Sequence, residues 1–277
     1  MDQHLVERVL ERLGLARAPT ADRAGLAAVY AAWCRRVPFD NARKLIAVRT
    51  GAGTPLPGDD PDDFFEAWLR HGVGGTCWAG NGALCALLQT LGFSAQRGVA
   101  TMMVAPDIPP NHGTVIVHLE EGRFIVDASI LHVDPLPIIE GKESVVGNGA
   151  WGVTGHWLGD DYAIRWRSLQ RPEPFDCRID EWPVAADRFR AQHEATRDWS
   201  PFNFELTFNL VRDGGRVGVA AGQGVRIDSA GRILAAALHD RIGFLVDELG
   251  VSEELARSIP EDVPTPPPPG SRTAARG

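Results

Sequence analysis

Residues 74–85 read GGTCWAGNGALC. Two glycines bring the chain in without a Cβ to clash, and the apolar run from Cys77 to about Gly92 has the length of a helix whose first residue is a cysteine. A sulfur placed there meets unpaired backbone N–H groups and the positive end of the helix dipole, a setting that favours a thiolate and can also hold an oxyanion. A cysteine in an apolar run is ordinarily a small packed hydrophobe. Cys85, two turns on among Leu84, Leu87 and Leu88, is read in that way. For Cys77 the question is whether the fold brings it a base.

The sequence upstream has helical spacing. Leu5, Val9, Leu10 and Leu13 share one face, with Gly14 as the stop. A second helix opens with Thr20 as N-cap, carries Leu26, Val29, Tyr30 and Trp33 on one side and ends at Pro38. PDDFFEAWLRHG, with Pro and Asp in its first turn, is a third, and the Cys77 helix is the fourth. From SAQRGVATMMV onward the period becomes two, and HGTVIVHLEEGRFIVDASIL reads as two strands around a Glu-Glu-Gly turn. VAAGQGVRIDS continues the strand character, and GRILAAALHDRIGFLVDELG returns to helical spacing with Leu234, Leu238, Ile242 and Leu245 on its apolar face. The reading is an α+β chain: a helical bundle over 1–92 carrying the cysteine, an antiparallel β-barrel or sheet domain over 93–190, and an α/β lid over 191–259. Residues 260–277, PEDVPTPPPPGSRTAARG, have the composition of a disordered tail.

The hairpin chooses among the eight histidines. If Leu119 to Gly122 close the turn, His118 faces Arg123 and Asp127 faces Thr114. His112 then shares a sheet face with Asp127, one diagonal step away, about 7–8 Å between Cα atoms. His118 lies on that face but roughly 13 Å along the strand, at about 3.3 Å per residue, and His132 has the opposite parity if its strand stays regular. A turn one residue shorter or longer reverses this parity. Asp127 in FIVDAS is a carboxylate amid apolar strand residues, a costly placement unless it has a partner.

With 277 residues, 44% of them hydrophobic, the chain has enough apolar side chains for a substantial core. A formal charge of -8 without any Lys/Arg run argues against nucleic acid and anionic membranes as partners. The amphipathic opening MDQHLVERVLERLGL has no signal-type core and no apolar run approaches about 20 residues, so a cytoplasmic protein with no membrane contact is expected. Four cysteines (Cys34, Cys77, Cys85 and Cys177) without a C-x-x-C are read as reduced thiols, and no metal site is expected.

LERLGLARAPTADRAGLAAVYAAWCRRVPFDN, GVGGTCWAGNGALCALLQTLGF and HGTVIVHLEEGRFIVD together resemble the arylamine N-acetyltransferase family. Its pattern is a Pro-Phe-Glu-Asn stretch, an Arg-Gly-Gly-x-Cys nucleophile, and a His and an Asp on neighbouring strands. RFRAQHEATRDWSPFNFELTFNLV resembles that family's entry to its third domain, so the likeness runs from about residue 5 to about 255 with order and spacing kept. The resemblance implies a Cys77–His112–Asp127 triad on a core related to papain-like and transglutaminase-like enzymes. It implies substrate contacts from Phe39, Val73, Gly74, Gly75, Trp78, Ser129 and Phe202. The implied activity is ping-pong acyl transfer from acetyl-CoA or another acyl thioester to a small amine, with no permanently bound cofactor and an acyl carrier protein as an alternative source of the donor. This chain departs from the pattern at Val73 (Arg in the family), at Ala79 (Glu), at Asp40 (Glu) and at ASIL, residues 128–131 (Val-Gly-Phe-Gly). Val73 and Ala79 lead to the expectation of a roomier, more apolar pocket that favours longer acyl chains. Rival readings are a biosynthetic amide synthase, an amide hydrolase of the transglutaminase type, and a catalytically idle binding protein on the same fold.

Overall fold

The structure is a computed structural model that describes residues 1–105, 107–147, 152–169, 171 and 173–269. The first third is helical. α1 (Gln3–Arg12) is capped by Asp2, which accepts from Leu5 N at 2.8 Å, and α2 (Arg23–Arg36) by Asp22, which accepts from Gly25 N at 2.8 Å. Thr20 is therefore not the N-cap: its hydroxyl donates to Asp22 instead, because a carboxylate reaches the free N–H groups of the first turn. Leu26, Val29, Tyr30 and Trp33 are fully buried. Each such side chain contributes about 1.5–3 kcal/mol by leaving water.

Pro38 is followed by a two-residue strand, β1 (Phe39–Asp40), and by α3 (Ala42–Thr50), a helix whose short ARKLIAVRT sequence shows too little periodicity to stand out. Next come α4 (Pro61–His71), capped by Asp60, and α5 (Cys77–Thr90). The strands β2 (Ser94–Met102), β3 (His112–Leu119), β4 (Gly122–Val126), β5 (Leu136–Ile138), β6 (Ser144–Val146), β7 (Val153–Leu158), β8 (Asp161–Trp166) and β9 (Phe175–Glu181) form one antiparallel sheet in the order β5-β4-β3-β2-β9-β8-β7-β6. Its two ends meet. Ser144 Oγ donates to Pro137 O at 2.6 Å and Trp157 Nε1 to Ile139 O at 2.9 Å, so the sheet closes most of the way into a barrel.

α6 (Ala186–Ala195) packs on α5, and Phe189 meets Trp78 edge to face at 5.0 Å. A second sheet follows from β10 (Phe208–Arg212), β11 (Gly215–Ala220), β12 (Gln223–Ile227) and β13 (Ile233–Ala237), in the order β1-β10-β11-β12-β13. Its first strand comes from the opposite end of the chain: Phe39 pairs with Asn209 and Asp40 with Phe208. Asn41 reinforces the join, donating to the carbonyls of Phe202 and Glu205 and accepting from Thr207 N at 2.8 Å.

Two expectations for the last third need correction. The segment from Ile233 to Ala237 is an exposed edge strand, not a helix, and Leu234 is 64% exposed. Asp228 Oδ1 accepts from Ala230 N and Arg232 N and so closes a hairpin, and this local turn chemistry outweighs the helical spacing of the leucines. Helix resumes only at α7 (Arg241–Gly243), which runs into the π-helical turn Phe244–Glu248, before α8 (Glu253–Ser258). The start of the expected tail is also bound: Asp262 accepts from Leu206 N at 2.9 Å and from Arg241, and Val263 N donates to Phe204 O. The part of that tail over 270–277 lies outside the described residues. No described helix is long and apolar enough to cross a membrane.

Candidate active site

α5 begins at Cys77, and its N-cap, Thr76, makes no side-chain hydrogen bond to the first turn, so these N–H groups are left without a capping side chain. The approach to the helix is tight. A Cβ on Gly74 would lie 2.0 Å from Pro38 O, which only glycine avoids, and Gly74 N donates to Asp40 Oδ2 at 2.6 Å. Asp40 Oδ1 accepts from Ala42 N, so this buried carboxylate orients both β1 and the glycine pair; burial raises its pKa to about 6.

The hairpin has the register argued from a four-residue turn, with His118 opposite Arg123 and Leu119 opposite Gly122. His112, the first residue of β3, places Nε2 2.8 Å from Asp127 Oδ2, and its ring lies near enough to Cys77 for the two to interact electrostatically. With Nε2 committed to Asp127, Nδ1 is the nitrogen left for the sulfur. The Cys77 sulfur also lies 3.9 Å from Asn111 O. Cys77, His112 and Asp127 are all buried, at 6%, 2% and 0% exposure.

Asp127 is held by far more than the histidine. Its Oδ1 accepts from Ser129 N at 2.8 Å and Ile130 N at 3.0 Å, with Asn81 Nδ2 at 3.5 Å. Tyr30, fully buried on α2, accepts from the backbone N–H groups of Asp127 and His132 and donates to Asp127 O at 2.9 Å. Asn81, one turn after Cys77, donates to Gly113 O at 2.6 Å and accepts from Ala128 N at 2.9 Å, which ties α5 to both triad strands. Burial alone would raise the Asp127 pKa, but His112 and the two backbone N–H groups hold it well below the usual carboxylate range. For His112 burial favours the neutral ring, and Asp127 and Cys77 together overcome it and raise the imidazole to about 10.

The other histidines and cysteines are placed differently. Burial lowers His132 to about 4, and its Nδ1 bonds to Asp134 O; His118 bonds to Gln96 at 3.0 Å near the hairpin turn. Burial pushes the Cys34 thiol up to about 12, Cys85 to about 11, and Cys177 well above its ordinary value. Among the described residues no group of three or more His, Cys, Asp or Glu could hold a metal ion.

Of the expected substrate contacts, Phe39 meets Phe202 edge to face at 5.3 Å. Gly74 and Gly75 lead into Cys77, Ser129 follows the Asp127 strand, and Trp78 is buried against Phe189. Val73 is a correction: it is fully buried in the apolar cluster of α3 and the second sheet, with Ala42, Leu206, Phe208 and Val251. The widened pocket is absent as well, since a Cβ added to Gly58 or Gly75 would lie 2.8 Å from Ala79 Cβ. The backbone has closed over the smaller residue and leaves no added room there for a longer acyl chain. Sequence reasoning passed over Asn81, Tyr30 as a polar anchor, and Lys44. The signal available for Asn81 was a lone amide in an otherwise apolar helix.

A sequence model of the N-acetyltransferase family matches residues 23–150. An arylamine N-acetyltransferase of Mycolicibacterium smegmatis is 27% identical over 279 residues, covering 90% of this chain and 94% of that protein. The chain resembles the arylamine N-acetyltransferases along most of its length. The fold agrees. A crystal structure of a variant N-arylamine acetyltransferase from Mycobacterium smegmatis superposes with a TM-score of 0.77 at 22% identity, over 96% of this chain and all of that one. The arylamine N-acetyltransferase of Mycobacterium marinum, solved in complex with CoA, gives 0.76 at 17% identity, over 92% of this chain and 98% of that one. Around the cysteine, Ala79 is enclosed, Asp40 turns to the backbone, and Lys44 is buried on α3.

Proposed function

We propose that the protein is an amine acyltransferase of ping-pong type, with Cys77 as nucleophile, His112 as base and acid, and Asp127 as the group that orients His112. The observation that carries this reading is the buried His112–Asp127 hydrogen bond with Cys77 beside the imidazole at the open end of α5. In the first half-reaction Nδ1 of His112 takes the thiol proton and the thiolate attacks the thioester carbonyl of acetyl-CoA or another short acyl thioester. Backbone N–H groups at the start of α5 hold the oxyanion. The donor C–S bond then breaks, and the departing thiolate takes the proton back from His112. In the second half an amine attacks acyl-Cys77, His112 accepts its proton, and the Cys77 thiolate leaves. Because a thioester intermediate stays activated, excluding water matters, and the burial of Cys77 serves that end.

Intact mass measurement after exposure to acetyl-, propionyl-, butyryl- and hexanoyl-CoA tests the proposal. One acyl group is expected on the wild type and none on Cys77→Ser, and added arylamine should discharge the adduct as an amide. Discharge by water alone at the same rate would make the protein a hydrolase. Labelling only by a carrier-bound thioester would make it an amide synthase, and no adduct from any donor would leave an idle binding protein.

A further inference from the structure

Lys44 has the environment of a cation waiting for an anion. Its residue is 4% exposed, yet among the described residues its ammonium has no hydrogen bond and no ion-pair partner within 4 Å. Leaving an ammonium in such a place costs several kcal/mol unless something compensates it. Nearby acids are already committed. Glu194 gives one oxygen to Leu56 N at 2.8 Å and the other to Arg197, and both oxygens of Asp40 accept backbone N–H groups. Arg43, the other strong cation on the same cavity wall, is neutralised by Asp63 at 2.7 Å, and His193 faces Asp59 at 3.8 Å.

The cavity that Lys44 lines is walled by Gly74, Gly75 and Thr76, the three residues that lead into Cys77. Thr76 supplies a second unused donor there: its hydroxyl is buried and has no hydrogen-bond partner among the described residues. Two uncommitted donors, one of them cationic, thus belong to the residues around the cavity beside the loop that enters Cys77. An acetyl group has nothing to offer either of them. A carboxylate at the end of a short acyl chain offers each of them a partner for a charge-assisted hydrogen bond.

We propose that Lys44 and Thr76 form an anion receptor that makes the enzyme select acyl thioesters ending in a carboxylate, of the malonyl or succinyl class. This rests on the acyl-Cys77 reading above and adds the donor's chemistry to it. The transfer itself is unchanged: the donor C–S bond breaks, the bond to the Cys77 sulfur forms, and the carboxylate passes through as a spectator. Burial supports the assignment by holding Lys44 down to about 7, against the opposing influence of Cys77, so an incoming carboxylate would restore its full charge.

The test measures initial rates of acyl-Cys77 formation with malonyl-CoA against butyryl-CoA, and succinyl-CoA against pentanoyl-CoA, in wild type, Lys44→Met, Lys44→Gln and Thr76→Val. Each ratio is internal to one preparation, so a partly folded variant does not distort it. The wild type is expected to favour the carboxylate-bearing donor of each pair by at least about tenfold, and both Lys44 variants to bring the ratio to one or below. A wild-type ratio near or below one, with acetyl-CoA still labelling Cys77, overturns the receptor and leaves the acyltransferase reading standing. A high ratio that survives in Lys44→Met and Lys44→Gln also overturns it. Absence of any adduct on Cys77 with every donor overturns both.

Discussion

Cys77, His112 and Asp127 owe their arrangement to single contacts that single substitutions can test. In Asp127→Asn the amide oxygen can still accept from Ser129 and Ile130, so the fold should persist. Its NH2 then faces His112, which forces the ring proton onto the nitrogen that serves Cys77. Acyl transfer should fall by roughly 10³–10⁴-fold, as expected where a triad carboxylate no longer selects the tautomer, whereas His118→Gln should change it little. The same pair makes stability depend on pH. His112 has a folded value of about 10 against an ordinary 6.5, so its stabilising contribution is complete below about 6.5 and is lost as pH rises to 10. Asp127 is shifted down from 3.8, so its contribution is complete above about 4 and is lost only in strong acid. The difference in Tm between wild type and Asp127→Asn should therefore be widest between about pH 4 and 6.5 and narrow toward pH 10, as scanning calorimetry would record. Among the thiols, iodoacetamide should label Cys77 first. Burial raises Cys34, Cys85 and Cys177 and keeps them protonated, and peptide mapping that found one of these labelled ahead of Cys77 would contradict the assigned nucleophile.

At the scale of elements, α5 does more than carry the cysteine. Through Asn81 it binds the start of β3 and the residue after Asp127, while α2 reaches the same loop through Tyr30, so Cys77, His112 and Asp127 hang between two helices and a hairpin. The loop after Asp127 is also clamped from the second sheet, where Arg216 on β11 donates to Ile130 O at 2.8 Å and Leu131 O at 3.1 Å. Leu131 has a φ of +54°, a conformation a leucine adopts only when its surroundings impose it. The packing of α5 against the loop before it explains why restoring the family's acid does not restore its site. Ala79→Glu has no space between Gly58 and Gly75 and should destabilise the protein by about 3 kcal/mol or more, measured by urea unfolding.

Across the whole molecule, the chain's two ends are built into each other. β1 forms the edge of a sheet whose other strands lie some 170 residues later, and Asn41 spans the same junction. The segment after α8 closes the arrangement through Asp262 and Val263. A protein truncated after Ile259 loses six of the described hydrogen bonds, each up to about 1 kcal/mol, and its Tm should fall by several degrees at least, since roughly 2–4 °C accompany each kcal/mol in a domain of this size. An unchanged Tm would show that this segment is a passive extension.

Local chemistry alone determined a good part of this protein. Glycine stops and apolar spacing specified α1, α2, α4 and α5, and alternation with an assumed four-residue turn gave the β3–β4 register. That register put His112 beside Asp127, because side chains on a strand alternate with a period of two and leave no freedom once the turn is counted. Tertiary structure decided the rest. β1 and α3 exist where a distant strand and Asn41 bind them, and Ile233–Ala237 is a strand because the Asp228 turn presents it to β12. Val73 and Ala79 look like lost charges in sequence, but the fold enclosed one in the second core and closed backbone over the other. Lys44 had no sequence signal at all: a lysine becomes an uncommitted buried cation only when residues far along the chain, Glu194 and Arg197 among them, fold over it and pair with each other.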